Sequence, residues 1–119
     1  MTMSYSFTGQ CIGEWKRLRK KYRSLPDDLE DFCKFTLQLE KDVRFPSANK
    51  NYSLLKEEKS CRIFKARMAC ASLRGNKFRV VYARHDHSIE IIFIELYSKN
   101  ERKREDAARI KAYLSNIPA

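Results

Sequence analysis

The sequence predicts a single α+β domain over residues 1–119, a small antiparallel sheet packed against an N-terminal helix hairpin and followed by a C-terminal helix. Three observations carry this. The apolar residues first recur with a helical period, switch to strict alternation from Ile63 onward, and return to helical spacing after Glu101. A chain of 119 residues with 43% hydrophobic and 12% aromatic residues has the apolar surface for one core and the length of one domain. Strands gathered between helices, rather than alternating with them, make an antiparallel sheet backed by helices.

Ser4 to Thr8 alternates polar residues with Tyr5 and Phe7, a short strand that Gly9 ends. From Cys11 to Arg23, Trp15, Leu18 and Tyr22 line one face, and Lys16, Arg17, Arg19, Lys20, Lys21 and Arg23 fall mostly outside it. Ser24, Pro26, Asp27 and Asp28 are the residues that open a helix, because a hydroxyl, a preset φ and carboxylates suit its amide-rich end. Leu29, Phe32, Cys33, Thr36 and Leu37 extend that second helix to about Lys41, with a sharp turn at Leu25-Pro26.

Asp42 to Lys59 has no period and reads as a long irregular connection. Phe64, Ala66, Met68 and Cys70 then alternate with Ile63, Lys65, Arg67 and Ala69, a strand with one apolar and one basic face. Arg74-Gly75-Asn76 reads as a turn, Phe78 to Ala83 as a second strand, and His85-Asp86-His87-Ser88 as another turn. Ile89 to Tyr97 is the most apolar strand, suited to a central place in the sheet, and Glu101 to Ser115 is the last helix, with Ala107, Ile110 and Leu114 on one side.

The formal net charge of +10 points to a polyanionic partner, nucleic acid foremost. No apolar run approaches the roughly 20 residues that span a bilayer, and Met1 to Gln10 is not a leader, so the expected location is the cytoplasm. Cys11, Cys33, Cys61 and Cys70 form no C-x-x-C pair, which argues for buried thiols over a zinc or redox motif. His85 and His87 lie at a hairpin tip with no third ligand nearby in sequence, so no metal is expected.

Four pieces in order, Lys65-Ala66-Arg67, Lys77-Phe78-Arg79-Val80-Val81-Tyr82, Ile91 to Leu96, and Tyr97-Ser98-Lys99-Asn100-Glu101, resemble the RelE/ParE family of bacterial toxins. That family reads as a K-x-R strand, a (Y/F)-R-V-(I/V)-Y strand, an apolar strand and a (Y/V)-x-K-x-E exit. The resemblance implies a toxin of a type II toxin–antitoxin system, restrained by a cognate antitoxin protein and needing no cofactor. RelE-like members cut mRNA on the ribosome, whereas ParE-like members poison DNA gyrase without hydrolysis; a third alternative is a toxin-fold protein that keeps only RNA or partner binding, without catalysis. Carried over position by position, the catalytic set is Lys65, Arg67, Arg79, Lys99 and Arg102. Asn100 stands where RelE-like members carry another arginine, and Asp106 where they carry a tyrosine; Tyr97 and Tyr82 are the aromatics available instead.

Metal-free RNA cleavage needs the 2′-hydroxyl deprotonated, the extra charge on phosphorus stabilised and the leaving oxygen protonated. Lys65 and Arg67, two apart on one strand, point to the same face and direct their fields at one phosphate. Lys16, Arg17, Arg19, Lys20, Arg74, Lys77 and Tyr97 are the expected RNA contacts, the cations for phosphates and the tyrosine for stacking on a base. Arg79 suits either a phosphate or a cross-strand neighbour, and the basic helix face either ribosomal RNA or an antitoxin.

Overall fold

The computed structural model describes residues 4–37, 52–85 and 90–117. The expected α+β architecture is present: five strands form one sheet in the order β1-β5-β4-β3-β2, with helices packed on it. The strands are β1 (Ser4–Phe7), β2 (Tyr52–Glu58), β3 (Cys61–Cys70), β4 (Leu73–His85) and β5 (Glu90–Ser98). Among the described residues the helices are α1 (Gly9–Lys21), α2 (Leu25–Asp31), continued by a π-helical segment over Phe32–Leu37, and α3 (Ala107–Ser115).

The alternation read from Ile63 onward is the division between two cores. Phe64, Ala66, Met68 and Cys70 of β3 join Phe78, Val80 and Tyr82 of β4 and Ile91, Phe93 and Leu96 of β5 on one face. Cys11, Leu18 and Tyr22 of the α1 stripe, with Leu25, Leu29 and Phe32, seal that face. On the opposite face, Cys61, Ile63, Val81, Ala83 and Ile94 pack under Ile110 and Leu114 of α3. α3 thus covers one part of this second face, and among the described residues no helix covers the part around Arg67.

The structure corrects several expectations. The sheet is mixed, because β1 pairs parallel with β5, from Ser4 opposite Glu90 to Phe7 opposite Phe93. β5 therefore has a neighbour on each side, but the middle strand is β4. Tyr52–Glu58, within the stretch read as irregular, is the edge strand β2; an edge needs no apolar alternation, and Lys56, Glu57 and Glu58 are exposed on it. The β3–β4 turn falls at Ala71-Ser72, before Arg74, because α2 fixes it there: Asp28 accepts from the Ala71 amide at 3.1 Å and Ser24 Oγ from the Ser72 amide at 2.8 Å. Ser24 is spent on this turn and makes no side-chain cap to α2.

The second helix does not continue as an α-helix to Lys41. It widens at Phe32, whose ring meets Tyr82 edge-on at 6.2 Å, and the Tyr5 hydroxyl donates to the Cys33 carbonyl at 3.2 Å. The last helix begins at Ala107 rather than Glu101, because the chain between is tied down in another shape, as set out below. Residues 38–41 of the expected second helix, 42–51 of the expected connection, and Asp86, His87 and Ser88 of the expected turn lie outside the described residues.

The β2–β3 turn is a two-residue one in which both Lys59 (φ 53°) and Ser60 (φ 59°) are left-handed, a conformation that normally calls for Gly or Asn. Lys59 gains something in return. Its ammonium donates to the carbonyls of Leu114 at 3.2 Å and Ile117 at 3.3 Å, at the C-terminal end of α3.

Candidate functional site

The uncovered part of the second face is built from cross-strand rows. Register sets Arg67 opposite Arg79 and Arg79 opposite Tyr97; one step along, Lys65 lies opposite Val81 and Val81 opposite Glu95. Alternation then puts Lys65, Arg67, Arg79 and Tyr97 on the same side of the sheet, away from α1 and α2. Two guanidiniums directly opposite each other repel. Burial and the field of Arg67 both hold the Arg79 pKa below its ordinary value. Such a pair is a ready site for an anion with several acceptor oxygens.

Tyr97 is 2% exposed, so it is not the open stacking platform expected from the sequence. The Arg102 guanidinium lies 4.5 Å from its ring centroid and takes the face a base would need. Burial, with the carboxylates of Glu105 and Glu95 nearby, pushes the Tyr97 pKa up to about 12, so it is a neutral phenol at physiological pH. Tyr82, the other aromatic considered, is fully buried on the helix side, stacked on Phe64 at 5.5 Å, and does not reach this face.

The segment between β5 and α3 is held by charged side chains that the sequence reading passed over. Glu95 is fully buried; both its oxygens accept from the Asp106 amide at 3.1 Å, and Oε1 is ion-paired with Arg102. Glu14 of α1 forms a two-pronged pair with Arg109 of α3, both contacts 2.9 Å, and accepts from the Leu96 amide at 3.1 Å. Arg109 also donates to the Ile94 carbonyl. β1 stops pairing at Phe93, so Glu14 and Arg109 satisfy the β5 edge where that strand runs out. Burial acts to raise the Glu95 pKa, and it is raised on balance although the Asp106 amide and Arg102 oppose it.

These ties explain the residues that depart from the toxin pattern. Asp106 is the N-cap of α3, its carboxylate accepting from the Arg109 amide at 3.2 Å, so it builds the helix start. Asn100 sits in an exposed turn, its amide donating to Ser98 Oγ at 3.0 Å. The Ser98 carbonyl accepts from the Glu101 and Arg102 amides, both at 3.0 Å, which closes a turn and keeps 101–106 out of the helix.

Of the catalytic candidates, Lys65, Arg67 and Arg79 are together on the open face, and Arg102 borders it with its charge already met by Glu95. Lys65 is ion-paired with Glu105 at 2.8 Å. Lys99 is apart from them: it is exposed, and its ammonium donates to the Lys103 carbonyl at 2.8 Å within the turn. Lys16, Arg19 and Lys20 are exposed on α1, on the helix side of the sheet, and Arg17 there pairs with Glu101 at 2.9 Å. The side chains of Arg74 and Lys77 lie outside the described residues. Sequence signals for Glu14 and Glu95 did exist: each is an isolated acid, one in a basic helix and one inside an apolar strand.

The thiols of Cys11, Cys61 and Cys70 are buried, and burial holds the Cys11 thiol well above its ordinary pKa. Among the described residues no group of three metal-ligating side chains occurs, and no helix is long and apolar enough to cross a membrane.

No family model and no curated protein matches the sequence. Solved structures do match. The archaeal RelE–RelB complex from Pyrococcus horikoshii OT3 contains a chain similar over 83% of this chain and 97% of its own, at 15% identity and a TM-score of 0.52. A doubly substituted E. coli toxin RelE in the free state is similar over 99% of this chain and 100% of its own, at 17% identity and a TM-score of 0.52. With the sheet, the helix pair on one face and the basic opening on the other, the chain has the fold of the RelE toxins.

Proposed function

We propose that the chain is the toxin of a type II toxin–antitoxin system, a cytoplasmic endoribonuclease that cuts mRNA on the ribosome without a metal ion. The observation that carries this reading is the Arg67–Arg79 pair on an open sheet face of a RelE-type fold. In this mechanism the two guanidiniums hold the scissile phosphate and take up the charge that builds as the 2′-oxygen attacks phosphorus. Their combined field also favours ionisation of that 2′-hydroxyl, whose proton passes to water. Lys65, on the same face, supplies the proton to the departing 5′-oxygen. Tyr97 and Arg102 form the wall of the site rather than its chemistry.

The test is to add the purified protein to translating ribosomes and map mRNA ends. New ends within the ribosome-bound message are expected, and uncut message at doses that stop growth would remove the reading.

A second reading is a ParE-like protein that inhibits DNA gyrase without catalysis. It is favoured by Asn100 and by Asp106, which is committed to capping α3. A supercoiling assay separates the two, since the ribonuclease leaves gyrase unaffected. In both readings a cognate antitoxin restrains the protein; the RelE–RelB complex supports that partner. An acidic or amphipathic antitoxin segment covering the basic sheet face or the helix hairpin is expected, and a complex that leaves both exposed would contradict it.

A further inference from the structure

We propose that Glu105 is a resident anion of the phosphate site, holding Lys65 until an RNA phosphate takes its place. The inference rests on the RNA-binding reading above and adds a competitor to it.

The Lys65 ammonium and the Glu105 carboxylate are 2.8 Å apart, with side chains 28% and 22% exposed, so the pair is partly withdrawn from water. Lys65 is two residues from Arg67 on the same face, beside the row of Arg67, Arg79 and Tyr97. Glu105 reaches this face from outside the sheet, on the segment that ends in the α3 cap. Its backbone neighbour Asp106 is fixed by Glu95, so exchange needs only a swing of the Glu105 side chain. A carboxylate and a phosphodiester carry the same charge and offer the same acceptor oxygens, so either satisfies a half-buried ammonium. The hydrogen bond from Lys65 acts foremost in holding the Glu105 pKa below its ordinary value, which keeps the competitor ionised.

Two consequences follow for the site. Without Glu105, Lys65 would add an unpaired ammonium beside two arginines that face each other across the strands. With it, a phosphate must displace an internal anion, so weak or single-phosphate ligands are turned away and a strand gripping several cations at once is admitted.

The experiment is binding of a short single-stranded 2′-O-methyl RNA, which cannot be cleaved, followed by fluorescence anisotropy across a salt series. Glu105→Gln should tighten binding by roughly two- to fivefold, the scale of one charge interaction at a partly exposed site. It should also steepen the salt dependence by about 0.7 in log–log slope, the increment of one more cation on a single strand. Lys65→Ala should weaken binding more in the Glu105→Gln background than in the parent, since in the parent the contact of the ammonium with phosphate is offset by the loss of its pair with Glu105. A direct reading in the unsubstituted protein covers misfolding of a variant: the side-chain carboxyl carbon resonance of Glu105 should move when the RNA is added. Equal affinity and slope for the parent and Glu105→Gln, with an unmoved resonance, overturns the inference and leaves the RNA reading intact. No binding by any variant overturns both.

Discussion

Two arginine pairs face each other across β3 and β4, and their neighbours differ. Arg62 lies opposite Arg84, and the row continues onto β2 with Glu57, whose carboxylate is 2.7 Å from Arg62. Arg67 lies opposite Arg79, and that row continues onto β5 with Tyr97. In the first row the sheet itself supplies an acid beside the pair, and in the second β5 supplies a neutral aromatic. A cross-strand arginine pair is therefore not a functional signal by itself; what completes its row decides whether the charge serves the fold or an external anion.

The largest expected effect breaks the second row from beneath. Glu95→Ala leaves Arg102 and the Asp106 amide without their buried acceptor, and should cost about 3 kcal/mol in a denaturant melt, since breaking a buried pair on one side strands the other. A loss near zero would mean that the wall behind Tyr97 is held by something else. Next comes the contrast itself. Replacing Arg67 and Arg79 together by alanine should weaken single-stranded RNA binding about a hundredfold and flatten the salt slope by about 1.4. The matching replacement of Arg62 and Arg84 should leave the slope unchanged, and equal effects at the two pairs would dissolve the comparison.

A smaller effect is expected from Glu57→Gln, which removes the acid from the first row. Both partners are well exposed, so a loss of about 0.5 kcal/mol in thermal stability is anticipated, with RNA binding unchanged. The smallest effect is in pH. The Glu105 pKa is held below its ordinary value of 4.5 in the folded protein, so its contribution to stability is present above pH 4.5 and is lost as pH falls through the folded value. The melting temperature of the parent should exceed that of Glu105→Gln near neutrality, and the gap should close under acid. A gap constant with pH would show that Lys65 draws nothing from this carboxylate.

The parts of the fold with a two-sided pattern were legible. β3 reads as a strand because Phe64, Ala66, Met68 and Cys70 must all reach the helix-covered core, and the same alternation puts Lys65 and Arg67 on the other side. β2 was not legible, because an edge strand exposed to water is under no demand to alternate. Nor was the parallel pairing of β1 with β5, because a residue pattern says that a strand is half-buried and not which strand lies beside it. The site was legible as a set of cations and not as their pairings. Lys99 and Lys65 look equivalent in sequence, yet one is spent on a backbone carbonyl in a turn and the other on Glu105. Glu14 and Glu95 passed as incidental acids because their work, closing the β5 edge and anchoring the start of α3, exists only once distant segments meet.

The left-handed Lys59 makes the β2–β3 hairpin both spring and hook. Its backbone would be easier as glycine, while its ammonium fastens the end of α3 to the opposite end of the chain's fold from the Asp106 cap. A glycine there relaxes the turn and unfastens the helix, whereas an alanine keeps the tension and still unfastens it. The difference in stability between the two replacements thus isolates the backbone tension, expected at about 1 kcal/mol in favour of glycine. The helix over the second core is held at its far end at the expense of a comfortable turn, so any partner that draws Lys59 away releases the two together.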